Sequence, residues 1–200
     1  MTTASRSATL IDIAWPETAG VRAFRFLALA VAGSLLLTIS AKITVPFWPV
    51  QMSLQTFAVM AIAAAFGWRL AVATVLLYLA QGAAGLPVFQ GTPEKGIGLA
   101  YMVGPTGGYL LGFIACAAIV GHAAETWARG SIVKLGAAML IGDAVIFALG
   151  LAWLGTLLGW DKPILAWGLY PFLLGDLVKI ALAAVAVPTA IAALERLRGL

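Results

Sequence analysis

Residues 168–188 form an almost wholly apolar run, long enough to cross a bilayer, that carries an acid at Asp176 and a base at Lys179. Spaced three apart, the two side chains project from one face of a helix. Placing a charged side chain at the centre of a membrane helix costs at least roughly 2.5–3.5 kcal/mol. Such residues face a protein interior or a wet cavity and serve a polar ligand, an ion path or an ion pair. A fold for this chain therefore has to bury one polar face of a helix whose other faces are greasy.

The rest of the chain sets the solvent. Hydrophobic residues make up 62% and charged residues 10%, with a mean hydropathy of +1.03, against about 25% charged in soluble domains. The expected class is an all-α integral membrane protein. Net charge +4 does not indicate nucleic acid, because the basic residues lie between apolar spans and form no stripe on a polar face. Cys116 is the single cysteine, which excludes an intrachain disulfide and any CxxC site; an inert core position is expected for it. His122 is the single histidine, at a helix end beside Glu125. No multi-histidine metal site can be built from it, and no metal or catalytic residue is assigned. HExxH, a nucleophile elbow and a Ser–His arrangement are all missing from the sequence.

About 20 apolar residues span a bilayer as a helix. Candidate spans lie at 24–41, 52–66, 70–84, 106–127, 132–158 and 168–194, six in all. The second and third are parted by Gly67–Trp68–Arg69 alone. Alternating sides places Arg6, Arg22, Arg25, Arg69, Arg129, Lys134, Arg196 and Arg198 together and leaves Lys42, Lys95 and Lys162 opposite. The positive-inside rule then predicts cytoplasmic N- and C-termini. Trp48, Trp68, Trp127, Trp160 and Trp167 fall near span ends, as an aromatic belt requires. Residues 1–20 lack a signal peptide's order of basic residues, apolar core and cleavage site. Residues 1–21 are thus expected as a cytoplasmic tail and 22–200 as one six-helix membrane domain. In this orientation Asp176 and Lys179 lie roughly 12–17 Å below the outer start of the last helix.

The longest outer connection, 85–104, is rich in glycine and reads as a binding loop. It runs into Gly104–Pro105–Thr106–Gly107–Gly108–Tyr109 at the start of the fourth span. Free N–H groups there suit a carboxylate; equally, Gly108 and Gly112 form a small-xxx-small pair for helix packing. No GxxxxGK[ST] exists and Gly96–Gly98 is too short for a dinucleotide site, so any ATP-driven transport needs an ATPase on another subunit. A second intramembrane acid, Asp143, sits in Gly142–Asp143–Ala144–Val145 and echoes Gly175–Asp176–Leu177–Val178. It either extends the polar cavity, carries protons or is a neutral acid satisfied by a neighbouring helix. Ala28 and Ala32, with Gly33, let another helix approach the first span.

Four segments together resemble the BioY family: VPFWPVQMSLQTFAV (45–59), GLPVF (85–89), GPTGGYLLGF (104–113) and GDLVK (175–179). The similarity extends over about residues 22–195. Gln51 stands where proline is commoner in that family, and Pro93–Glu94–Lys95 occupy a loop often richer in glycine. The resemblance implies a substrate-capture component of an energy-coupling factor transporter in the bacterial cytoplasmic (inner) membrane. Its ligand would be biotin, carried and not used as a cofactor. Asp176, Lys179, Tyr109, Gly104, Thr106, Gly107, Gly108 and Phe89 would bind it. A transmembrane coupling protein, meeting Ala28 and Ala32, and two ABC-type ATPase subunits would be the partners, with lipid around them. An ion-coupled vitamin carrier using Asp143 and Asp176, and a structural membrane subunit, are the rival expectations.

Overall fold

The structure is a computed structural model and describes residues 9–11, 21–45 and 52–198. Arg6, Trp48, Gln51 and most of the tail expected over 1–21 lie outside the described residues. The elements in chain order are α1 (Arg22–Lys42), β1 (Thr44–Val45), β2 (Met52–Ser53), α2 (Gln55–Phe66), α3 (Trp68–Ala83), α4 (Gly98–Met102), α5 (Gly107–Glu125), α6 (Ile132–Leu158), α7 (Ile164–Gly168) and α8 (Tyr170–Arg198). The all-helical membrane class holds, with one small antiparallel strand pair among the described residues, Thr44 opposite Ser53 and Val45 opposite Met52. That pair falls where the sequence suggested the second span would begin.

Four helical stretches are long and apolar enough to cross a membrane: Arg22–Lys42, Gly107–Glu125, Ile132–Leu158 and Ile164–Leu197. The other two apolar helices, α2 and α3, have 12 and 16 residues, about 18 and 24 Å at 1.5 Å per residue. Both fall short of a hydrocarbon core about 30 Å thick, so the expected count of six spans is not reproduced by length. Gly67 separates them with φ of 77°, a conformation open to glycine without steric cost. Glu125 Oε1 accepts the Trp68 N–H at 3.0 Å, closing the first turn of α3. Helix α6 begins and ends where hydropathy placed the fifth span, and its N-cap Ser131 accepts the Lys134 N–H at 3.3 Å. The connection after α3 contains the short helix α4.

Helix α5 and helix α6 form the tightest pair. A Cβ on Gly108 would strike the Leu149 carbonyl, and one on Gly112 would lie 2.6 Å from the Ile146 Cα. Glycine at these positions lets the backbones approach closely, the small-residue packing typical of membrane helices. Cys116, Ala117 and Val120 of α5 and Ala138, Met139 and Ile146 of α6 are buried behind this contact. On α8 the usual arrangement is inverted. Asp176, Lys179, Ile180, Ala183, Ala184 and Val187 face inward, while Leu173, Leu174, Leu177, Val178 and Leu182 are exposed. Leucine outside and charge inside is what a hydrocarbon solvent selects.

Candidate substrate-binding site

Asp176 and Lys179 meet at the predicted spacing. Lys179 Nζ donates to Asp176 Oδ1 at 2.7 Å, and the two side chains are 7% and 3% exposed respectively. Thr56 of α2 completes a triangle. Its hydroxyl donates to Asp176 Oδ1 at 2.9 Å and accepts from Lys179 Nζ at 3.1 Å. Gly175, beside the acid, has no Cβ to hold off Met52, whose thioether occupies that space. That contact draws β2 and the start of α2 onto α8, and so brings Thr56 within reach.

The triangle lines a cavity of about 360 Å³, at the small end of the roughly 300–1,000 Å³ usual for small-molecule sites. Leu110, Phe113, Ile146, Phe147, Leu154 and Phe172 supply apolar walls, and Ser53, Gln55, Gln90, Tyr101, Thr106 and Tyr109 supply polar groups. Pro105, Leu158, Trp167 and Gly168 complete the lining. An apolar chamber with a few fixed polar groups orients a mostly hydrophobic ligand. A carboxylate offers about four lone-pair sites and an ammonium three donors. The triangle uses two of each, so one acceptor-rich and one donor-bearing group remain for a ligand.

Of the residues expected in the site, Asp176, Lys179, Tyr109 and Thr106 line this one cavity. Tyr109 spends its hydroxyl proton on the Gly168 carbonyl at 2.8 Å, fixing α7 against α5. Gly104, Gly107, Gly108 and Phe89 do not line it. The Gly104 carbonyl accepts from Trp153 Nε1 at 2.9 Å. Gly107 and Gly108 lie against Trp153, so of the two roles open to this turn the packing one is visible here. Phe89 is a wedge behind the wall: it fills the space above Gly82, stacks on Tyr101 at 4.8 Å and meets Tyr78 edge-on at 5.3 Å. Burial raises the Tyr101 phenol above its ordinary range, and its hydroxyl donates to the Gln90 carbonyl, 3.0 Å away.

Asp143 is buried, away from the cavity lining, and its Oδ1 has no hydrogen-bond partner among the described residues. The Gly–Asp echo has a packing content: Gly142 faces Cys116 Sγ as Gly175 faces Met52. Cys116 is fully buried. His122 is exposed in the last turn of α5, where its carbonyl accepts from Thr126 Oγ1 at 2.7 Å. Ala28 is half-buried and Ala32 exposed on α1. Thr56, Gln55, Ser53, Gln90, Tyr101 and Phe172 line the cavity without having been expected from sequence, and Trp167, expected only in an aromatic belt, lines it too. The polar cluster Ser53–Gln55–Thr56, opening an otherwise apolar run, was the available signal.

Known proteins share this arrangement of elements and much of this sequence. The fold matches the crystal structure of the S-component for biotin from an ECF-type ABC transporter with a TM-score of 0.65, covering 92% of this chain and 96% of that one. Sequence identity there is 21%, so the likeness speaks to the fold. The probable biotin transporter BioY of Pyrococcus horikoshii is 35% identical over 82% of this chain and 90% of its own length. The biotin transporter BioY of Thermotoga maritima is 37% identical over 74% of this chain and 85% of its own. The sequence matches the BioY family from residue 10 to residue 196. On that extent, and on the identity to full-length relatives, the chain belongs to the BioY family.

Proposed function

We propose that this chain captures biotin from the outer side of a membrane, as the substrate-binding component of an energy-coupled importer. One observation carries the reading: a hydrogen-bonded acid, base and hydroxyl, Asp176, Lys179 and Thr56, line a mostly apolar cavity. Biotin matches it in kind, being an apolar bicycle and chain with a ureido ring and a carboxylate. Asp176 accepts a ureido N–H, and Lys179 donates to the ureido carbonyl or to the carboxylate. The relatives named as biotin transporters and the S-component fold support the same reading.

In this reading α1, α2, α3, α5, α6 and α8 all cross the bilayer, the two short helices being completed by their flanking segments, with both termini cytoplasmic. The membrane is the bacterial cytoplasmic one. A transmembrane coupling protein seats on α1 at Ala28 and Ala32, and ABC-type ATPase subunits supply the energy. The half-buried and exposed settings of these two alanines suit a partner helix. The chain itself performs no catalysis and carries no cofactor.

Equilibrium binding of radiolabelled biotin to the purified chain, with thiamine and riboflavin as competitors, tests the assignment. Tight saturable binding that ignores both competitors is expected. A folded preparation that fails to bind biotin refutes it.

A further inference from the structure

Lys42 ends α1 outside the cavity lining, and all three of its ammonium protons are committed to the loop that follows α3. Nζ donates to the Phe89 carbonyl at 2.9 Å, the Thr92 carbonyl at 2.7 Å and the Thr92 hydroxyl at 2.8 Å. Thr92 Oγ1 in turn donates to the Phe89 carbonyl at 2.6 Å. Between these anchors lies Gln90, which lines the cavity and whose own carbonyl is held by Tyr101. The segment is thus held on both sides of Gln90 by one cation and at Gln90 by one phenol. Phe89, seated over Gly82, fixes the remaining side. Lys42 also lies in the last turn of α1, where the helix dipole favours a positive charge.

We infer that Lys42 is a positioning residue for the bound ligand, acting through Gln90: its ammonium gathers the carbonyls flanking Gln90 and holds that side chain in the cavity wall. This rests on the biotin-capture reading above. Charge-assisted bonds to backbone carbonyls are roughly twice as strong as neutral ones. When the ammonium is removed, those carbonyls turn to water and the wall at Gln90 loosens. The effect belongs in ligand escape, since encounter from outside does not require Lys42.

The test compares wild type, Lys42→Met, Gln90→Ala and the double variant as full-length chains in lipid nanodiscs, by chase of bound radiolabelled biotin. Each single variant is expected to release biotin roughly tenfold faster, the scale of one lost ligand hydrogen bond at the wall, with association changed less than about twofold. The double variant should release no faster than the faster single one, because both changes act on the same wall. Wild-type release from Lys42→Met, or effects that multiply in the double variant, overturns the inference. If Lys42→Met does not fold, Thr92→Val removes one of the three acceptors and is read against the same criterion. If wild type itself does not bind biotin, the capture reading fails separately. Hydrogen exchange then decides for the latch: Lys42→Met should speed amide exchange at residues 89–92, and unchanged exchange overturns it.

Discussion

Asp176→Asn removes a charge while keeping the side chain's shape and one carbonyl acceptor. In the native protein that charge faces Lys179 Nζ at 2.7 Å, with the two side chains 3% and 7% exposed. An ion pair on a wet surface is worth about 0.2–1 kcal/mol. Removing one partner of a buried pair costs about 3–5 kcal/mol, because the remaining charge stays desolvated without its counter-charge. Thr56 still accepts from Lys179 in the variant, which places the expected loss of stability near the lower end, about 3 kcal/mol. On top of that, a ligand donor that met a carboxylate now meets an amide. Loss of a hydrogen bond to a charged group, about 1.5–3 kcal/mol, weakens biotin binding roughly ten- to hundredfold. The companion Asp176→Asn/Lys179→Met removes both charges. It should recover most of the stability without recovering binding, since a buried pair exchanged for neutral groups is often neutral in stability. Thermal unfolding in detergent, with radiolabelled biotin binding on the same preparations, measures both quantities. A double variant less stable than Asp176→Asn alone refutes the unpaired-charge reasoning. Wild-type affinity in Asp176→Asn removes Asp176 from the site.

Tyr109→Phe leaves the Gly168 carbonyl without its 2.8 Å donor; a loss of about 0.5–1.5 kcal/mol is expected, seen as a lower unfolding temperature with biotin affinity changed less than about tenfold. Gly82→Ala puts a methyl into the Phe89 ring, and that ring cannot swing aside because Tyr101 and Tyr78 hold it. The expected cost is about 1–3 kcal/mol, with faster proteolysis in the loop over 85–97. Ala32→Trp changes an exposed position on α1, so the isolated chain should unfold and bind biotin as wild type does. Biotin uptake by cells should fall sharply, because the partner helix can no longer approach; undiminished uptake would remove Ala32 from the interface.

What the chain determines locally could be read without coordinates. Hydropathy averages over a helix's own residues, so α6 emerges with its bounds and the membrane class follows from composition. Helical spacing alone brings Asp176 and Lys179 together, because a three-residue offset closes within one turn. Tertiary structure decided everything that joins distant segments. Thr56 reaches Asp176 across 120 residues of chain, where α2 packs on α8 and Met52 fills the space beside Gly175. Tyr109 was legible as a site residue, yet its hydroxyl is committed to Gly168, 59 residues away. Gly107, Gly108 and Phe89 carry the same residue types whether they touch a ligand or support a wall. Glycine and phenylalanine announce close approach and bulk, and the partner is chosen by packing between helices. Length by itself does not decide the span count, since α2 and α3 are apolar yet shorter than a hydrocarbon core. A sequence of this kind specifies its solvent and its helices one turn at a time; its binding cavity exists only where those helices cross.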